Sequence, residues 1–369
     1  MEGRTLQIHA FVSQGFALSN QNNYLTMNTS SGSFAFTDAG ANISVQLTPN
    51  FRVGAQIYDR NVGHLGNWHP ELDWATADYK FRDWFGIRAG KVKTVLGLYN
   101  DTQDYEFLHT WAILPQSIYP LDLRASTIAH VGGDFYGDIS LKDAGTLSYT
   151  AYAGLVPNDP YGGYVYGLTQ FGVYLNTYGG RMEGGDLRWN TPLQGLLAGA
   201  SYMDQDIHGS GVNEPGNFPE REQSRANEIS QFYVQYAHGG LKVDGEYRRQ
   251  WRDELVFAPP PAPPAVEWDA RSFYGAISYR FSKRLELGSY YSRFYADWKQ
   301  SHSAPDNHIF DKVVAARFDL TSHWDLKIEG HFMNGDAAAD ALRGFYPQNN
   351  PQGFKPTTNL LVIRTGFEF

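Results

Sequence analysis

The sequence predicts an all-β fold, a transmembrane antiparallel β-barrel of about 16 strands, and three observations carry that prediction. First, the last eleven residues, Asn359 to Phe369, alternate: Leu361, Ile363, Thr365, Phe367 and Phe369 share one face, and Leu360, Val362, Arg364, Gly366 and Glu368 the other. Alternation over about ten residues fits a tilted strand crossing a hydrocarbon core of about 30 Å. Second, 24 Tyr, 23 Phe, 9 Trp and 38 Gly with only 19% charged residues suit a wall with one aromatic, apolar face and one polar face. Third, the alternation recurs as strand, long polar loop, strand, tight turn. No stretch approaches the roughly 18 consecutive apolar residues of a membrane helix. Such a chain can enter a bilayer only as a closed barrel, in which every backbone polar group finds a partner inside the protein.

The strands follow in order. The first is expected from Leu6 to Phe16, with Leu6, Ile8, Ala10 and Val12 outward and Gln7, His9, Phe11 and Ser13 inward. Phe34 to Leu47 comes next, and Thr48-Pro-Asn turns the chain into Arg52 to Asp59. Leu72 to Phe81 and Phe85 to Leu96 flank the turn at Arg82-Asp83, and Thr127 to Leu141 and Leu147 to Leu155 flank Lys142-Asp-Ala-Gly145. Pairs follow at Gly185 to Asn190 with Leu196 to Met203, Glu228 to Tyr236 with Leu241 to Arg252, and Arg271 to Phe281 with Leu285 to Phe294. Ile309 to Leu320, Leu326 to Met333 and Leu360 to Phe369 complete the set. An even count places both termini on the side of the short turns, which is periplasmic in outer-membrane barrels. No linker or composition shift divides the chain, so residues 1–369 read as one barrel. Met1-Glu-Gly-Arg-Thr leads straight into strand pattern, as in a mature form from which an export signal has been removed.

Aromatic pairs stand beside the short turns: Phe318 with Trp324, Tyr279 with Phe281, Tyr79 with Phe81, and Trp84 with Phe85. Amphipathic rings at those positions would form an interfacial girdle. The opposite faces are charged, as in Lys242, Asp244, Glu246 and Arg248, or Lys327, Glu329 and His331. Charges in a dry interior cost several kcal/mol each unless paired, so these must pair across strands or face water. Lys91 and Lys93 share parity with Ile87 and Ala89 and would point at lipid, at about 2–4 kcal/mol each near the midplane. A bulge at Gly90, or a subunit contact, would relieve that cost.

The segment Gly97 to Thr127 differs from the other loops in its bulky apolar residues, among them Phe107, Leu108, Trp111, Ile113, Leu114, Ile118 and Tyr119. It should pack against something. Folded into the barrel, it would set Asp101, Asp104 and Glu106 opposite Arg88, Lys91, Lys93, Arg280, Arg317 and Arg364, narrowing the lumen and placing a field across it.

The run Arg88-Ala-Gly-Lys-Val-Lys-Thr-Val-Leu-Gly-Leu-Tyr-Asn-Asp-Thr-Gln-Asp, followed by Leu114-Pro-Gln-Ser-Ile-Tyr, resembles the fifth strand and third loop of Gram-negative outer-membrane porins. It is similar in particular to the phosphate-selective and dicarboxylate-type porin-like proteins, and terminal Phe369 resembles the family's assembly signal. The chain departs in having Val95 where the related run has Pro, and in lacking the acidic Pro-Glu-Phe motif of general porins. The resemblance implies a sixteen-stranded homotrimer embedded in outer-membrane lipid and lipopolysaccharide, with the third loop as constriction.

The function expected is a water-filled channel for passive diffusion of small hydrophilic solutes, with no cofactor and no covalent step. A net charge of −9 argues against a nucleic-acid partner, and the absence of Cys removes disulfides, thiolate metal sites and Cys nucleophiles. No EF-hand spacing or His cluster suggests a metal. A barrel hydrolase would need Ser and His together on the lipid face, but the eleven His, including His9, His109, His130, His238 and His331, are scattered. A barrel whose loops bind a surface partner is the other alternative. It would use the loops Asn158 to Gly180, Asp204 to Ala226, Asp253 to Asp269 and Asn334 to Thr357, the third of which carries the stiff run from Phe257 to Pro264.

Overall fold

A computed structural model describes residues 5–214, 218–257, 266–338 and 343–369. Most of the proline-rich run, residues 258–264, lies outside them. Sixteen antiparallel strands close into one barrel, each hydrogen-bonded to its sequence neighbours, and the first to the last. They are β1 Leu6–Ser19, β2 Phe36–Thr48, β3 Phe51–Val62, β4 Glu71–Arg82, β5 Phe85–Lys93, β6 Ala129–Ser140, β7 Thr146–Val156 and β8 Val173–Asn190. The second half comprises β9 Leu196–Asn213, β10 Phe218–His238, β11 Leu241–Phe257, β12 Val266–Arg280, β13 Leu285–Tyr295, β14 His308–Asp319, β15 Trp324–Asn334 and β16 Thr357–Glu368. Among the described residues one short α-helix, α1 Gly163–Leu168, sits in the loop between β7 and β8.

Closure is made by β1 on β16, where Phe11 pairs with Glu368 and Ser19 with Leu360, so this sheet has no free edge there. The outer face is apolar: Ile8, Ile57, Phe135, Leu187, Phe232, Ile277, Val314 and Phe332 are all exposed. Side chains two residues apart share a face, which is why the alternating sequence produces this belt. At the short-turn end Trp84, Tyr79, Phe81, Tyr279, Phe281, Phe318 and Trp324 are exposed, and Phe81 stacks on Phe85 at 5.3 Å. The girdle lies where the sequence puts it.

Two expectations need correction. Parts of three stretches read as loop are ladder: Val173 to Gly180 lies in β8, most of Asp204 to Ala226 in β9 and β10, and both ends of Asp253 to Asp269 in β11 and β12, with β8 paired to β9 from Val173–Asn213 onward and β9 to β10 from Asn213–Phe218. Beyond a membrane, hairpins need no apolar outer face, so alternation fades while strand pairing continues.

The second correction concerns Gly90. No register shift occurs there, since Gly90 pairs with Thr76 on one side and Gly132 on the other. The bulge lies in β4 instead, where Gln56 pairs with Trp74 but Ile57 pairs with Leu72, leaving Asp73 extra. Asp73 turns inward and is buried among cations. Lys91 therefore stays on the outer face, opposite Ala75 and exposed Val131, its amine donating to the Leu72 carbonyl at 2.5 Å. Lys93 lies past the last β4–β5 pair, and its amine reaches inside.

Candidate functional site: a loop strapped across the lumen

Between β5 and β6 the chain folds into the barrel. Its neck is closed by Thr94 N donating to Ile128 O at 3.0 Å and by the Asn100 amide, which donates to the carbonyls of Thr94 at 2.8 Å and Thr127 at 2.7 Å. A loop of this length carries backbone groups that must be satisfied, and inside a barrel only the wall can satisfy them. Three stretches of wall do so.

On the β10–β12 side Glu246 accepts four donors: Leu98 N at 3.2 Å, Gln231 Nε2 at 2.5 Å, Tyr119 Oη at 2.6 Å and Tyr274 Oη at 2.8 Å. Beside it the Tyr99 hydroxyl donates to Asp244. On the β13–β16 side Glu329 takes the amides of Ala112 and Ile113 at 2.8 and 3.1 Å, and Glu286 the Thr110 hydroxyl at 2.6 Å. Cations there take the loop's carbonyls. Arg317 donates to Phe107 O and His109 O at 2.6 and 2.7 Å, Arg364 to Ala112 O at 2.7 Å, and Lys327 to Glu106 O at 2.7 Å.

On the β3–β5 side four charges alternate in sign, three of them buried and Lys93 half-buried. Lys93 Nζ is 2.6 Å from Asp104 and 2.8 Å from Asp73, and Arg124 is 2.5 Å from Asp73. Gln56 donates to both carboxylates, and the Arg124 guanidinium lies 4.3 Å over the Tyr58 ring. Apolar packing fills the space between anchors: Leu98, Trp111, Leu114 and Ile118 bury against inward Tyr233, Tyr274, Tyr290 and Val313. Trp111 meets Tyr290 edge-on at 5.0 Å.

The candidate residues named from sequence divide in three. Asp104, Glu106, Lys93, Arg317 and Arg364 come together on the loop and its anchors, with Glu106 bound to Lys327 at 2.5 Å and Arg364 bound to Asp38. Arg88 and Arg280 pair within the wall nearer the short turns, Arg88 with Asp134 at 2.8 Å and Arg280 with Glu286 at 2.7 Å and with Asp319. Lys91 faces outward, and Asp101 is half-buried in no ion pair among the described residues. The acidic loop and basic wall thus neutralise one another in contact rather than across open water.

Sequence reasoning missed Gln56, Asp73, Arg124, Glu246, Glu286, Glu329 and Lys327 as anchors. An acid of inward parity on β11, β13 and β15 was the available signal, since a buried carboxylate has more lone pairs than one neighbouring cation fills and takes N–H or O–H donors from elsewhere.

Groups on the loop itself are perturbed. Burial lowers His109 to about 3, leaving it neutral, with its ring nitrogen 2.9 Å from Thr102 O. Burial also pushes the Asp122 carboxyl up. Asp122 accepts Gly344 N at 2.7 Å and the Tyr346 hydroxyl at 2.9 Å, tying the third loop to the loop between β15 and β16. Leu25 N in turn donates to Gly344 O at 2.7 Å, so three loops interlock on the long-loop side.

Space is uneven along the barrel axis. A cavity of 20 Å³ lies against the loop between Glu106, Trp111, Gln116 and Arg364. On the short-turn side the lumen opens into two adjoining cavities of 610 and 440 Å³, which share Phe107, His323 and Glu368.

No family model and no curated protein matches the sequence. Solved structures do. The outer-membrane expressed OmpT of Vibrio cholerae superposes with a TM-score of 0.62 at 10% identity, over 100% of this chain and 99% of that one. OmpF of Salmonella typhi, in complex with daunomycin, gives 0.60 at 11% identity over 100% and 98% of the two chains. An anion-selective porin from Comamonas acidovorans gives 0.59 at 10% identity over the full length of both. The chain has the porin fold. The third loop of this chain spans the lumen from Glu246 on one wall to Glu329 on the other.

Proposed function

We propose that the protein is an outer-membrane porin, a non-enzymatic channel through which small hydrophilic solutes diffuse passively. One observation carries the reading: a loop anchored to opposite walls of a closed sixteen-stranded barrel whose outer face is an apolar belt with an aromatic girdle. Such a loop partitions a lumen by size and charge without any covalent chemistry. The wide short-turn cavities support access from the periplasmic side.

We also infer a homotrimer. One of the solved V. cholerae OmpT structures is a trimer form. On this chain the outer face of β2 to β5 carries six alanines, Ala39, Ala41, Ala55, Ala75, Ala77 and Ala89, between larger residues such as Ile43, Ile57 and Leu72, and it bears Lys91. A cation that would cost about 2–4 kcal/mol against lipid is better placed against a second subunit.

The test is planar-bilayer conductance of the folded protein with a salt gradient. Stepwise openings in groups of three support the trimeric channel, and the sign of the reversal potential reports the charge at the narrowest level. Absence of conductance from a folded, heat-modifiable barrel would overturn the reading. Ester hydrolysis by the same sample would replace it with the enzymatic one.

A further inference from the structure

We propose that the short-turn vestibule is a binding site for small aromatic carboxylates. Its 610 Å³ cavity falls within the range of about 300–1,000 Å³ typical of small-molecule pockets. The loop side of the cavity is apolar. Leu108 is 54% exposed although it stands inside the barrel, whereas Trp111, Leu114 and Ile118 of the same loop are buried. Around it, Phe11 contacts Tyr105 at 5.5 Å and Phe107 at 6.4 Å, and Tyr105 contacts Phe107 at 5.9 Å, forming a ring cluster that opens to the cavity. An apolar floor in a water-filled space is costly unless something apolar covers it.

Charge orients the occupant. Arg52 on β3 lines one side of the cavity. One of its nitrogens donates to Gln7 Oε1 at 3.0 Å and Ser44 Oγ at 2.7 Å, and the guanidinium has no ion pair among the described residues. Glu368 on β16 lines the far side, with β1 and β2 lying between it and β3. A flat ring covering Leu108 and Phe107 with its carboxylate on Arg52 satisfies both terms, because Glu368 repels an anion from the other end. A guanidinium is suited to bidentate carboxylate recognition, and ring-on-ring contact adds affinity to area burial. His9, Asn42 and His323 add to the polar lining.

The site lies on the solute path only if the channel reading holds, but binding itself needs no conductance. The experiment is equilibrium dialysis of radiolabelled benzoate against the full chain folded in detergent, with benzylamine as the opposite-charge probe. Saturable benzoate binding is expected, with benzylamine at least tenfold weaker. Arg52→Gln should weaken benzoate about tenfold, the loss of one charge-assisted contact, and Leu108→Ser about fivefold, the loss of apolar cover. Both side chains are exposed, so heat-modifiability should be unchanged in each variant and confirms the fold. Non-saturable uptake, unchanged affinity in both variants, or equal binding of benzylamine overturns the proposal. Wild-type conductance measured in parallel separates the two readings: a conducting protein that ignores benzoate loses this site and keeps its function.

Discussion

Lys327 is fully buried, and the acceptors that hold it belong to a loop more than 200 residues earlier in the chain. Removing one member of a buried pair costs about 3–5 kcal/mol, because the survivor is left charged without a partner. Glu106→Gln should therefore lower the midpoint of heat-induced unfolding on gels and raise single-channel conductance as the loop lifts from β15. The double variant Glu106→Gln with Lys327→Met should recover much of the midpoint. His109 sets a pH dependence. Held neutral down to about 3 in the fold but protonated below about 6.5 in an unfolded chain, it contributes stability that is full above the latter value and lost as pH falls toward the former. Loop attachment should weaken between those limits, seen as conductance rising on acidification, and His109→Gln should flatten the profile. At this scale the sequence was half legible. Parity placed Arg317, Arg364, Lys327 and Glu329 inward, but alternation names a face and not a partner. The partners are backbone groups of a loop that has no period to read.

Strand existence was legible for all sixteen because one face of each must meet an apolar environment. Boundaries failed where that environment ends, as in the tall β8–β10 hairpins, and the bulge was sought one strand away from where it lies. Gly90 still matters, through its backbone: φ is +128° and a Cβ there would stand 2.1 Å from the Ala75 carbonyl oxygen. Gly90→Ala should cost about 1–3 kcal/mol of stability for backbone strain before any clash, read as a lower unfolding midpoint. Gly366→Ala meets Glu106 Oε2 at 2.3 Å and should mimic Glu106→Gln in conductance while leaving β16 paired.

For the whole molecule, the outer face of β14 is lined by exposed Val314, while that of β2 to β5 mixes six alanines with Ile43, Ile57 and Leu72 and bears Lys91. A charge should act differently on each. Val314→Arg, at an exposed position on β14, should cost about 2–4 kcal/mol of barrel stability in lipid. Ala77→Arg should leave the barrel folded but reduce the trimer recovered by chemical cross-linking. The porin-like architecture was legible from alternation and turn spacing, and the apolar residues of the third loop pointed into the barrel; the loop's anchors were not legible, because they depend on side chains from many strands meeting in space.

That route has a mechanical meaning. A thin ring under sideways load fails by going oval, since bending is its softest mode. The third loop ties β3 and β4 on one side to β10–β12 and β13–β16 on the others, much as spokes tie a rim. Squeezing the barrel along those lines must stretch or crush one of the ties, so the segment proposed to narrow the passage would also brace its cross-section against the surrounding bilayer.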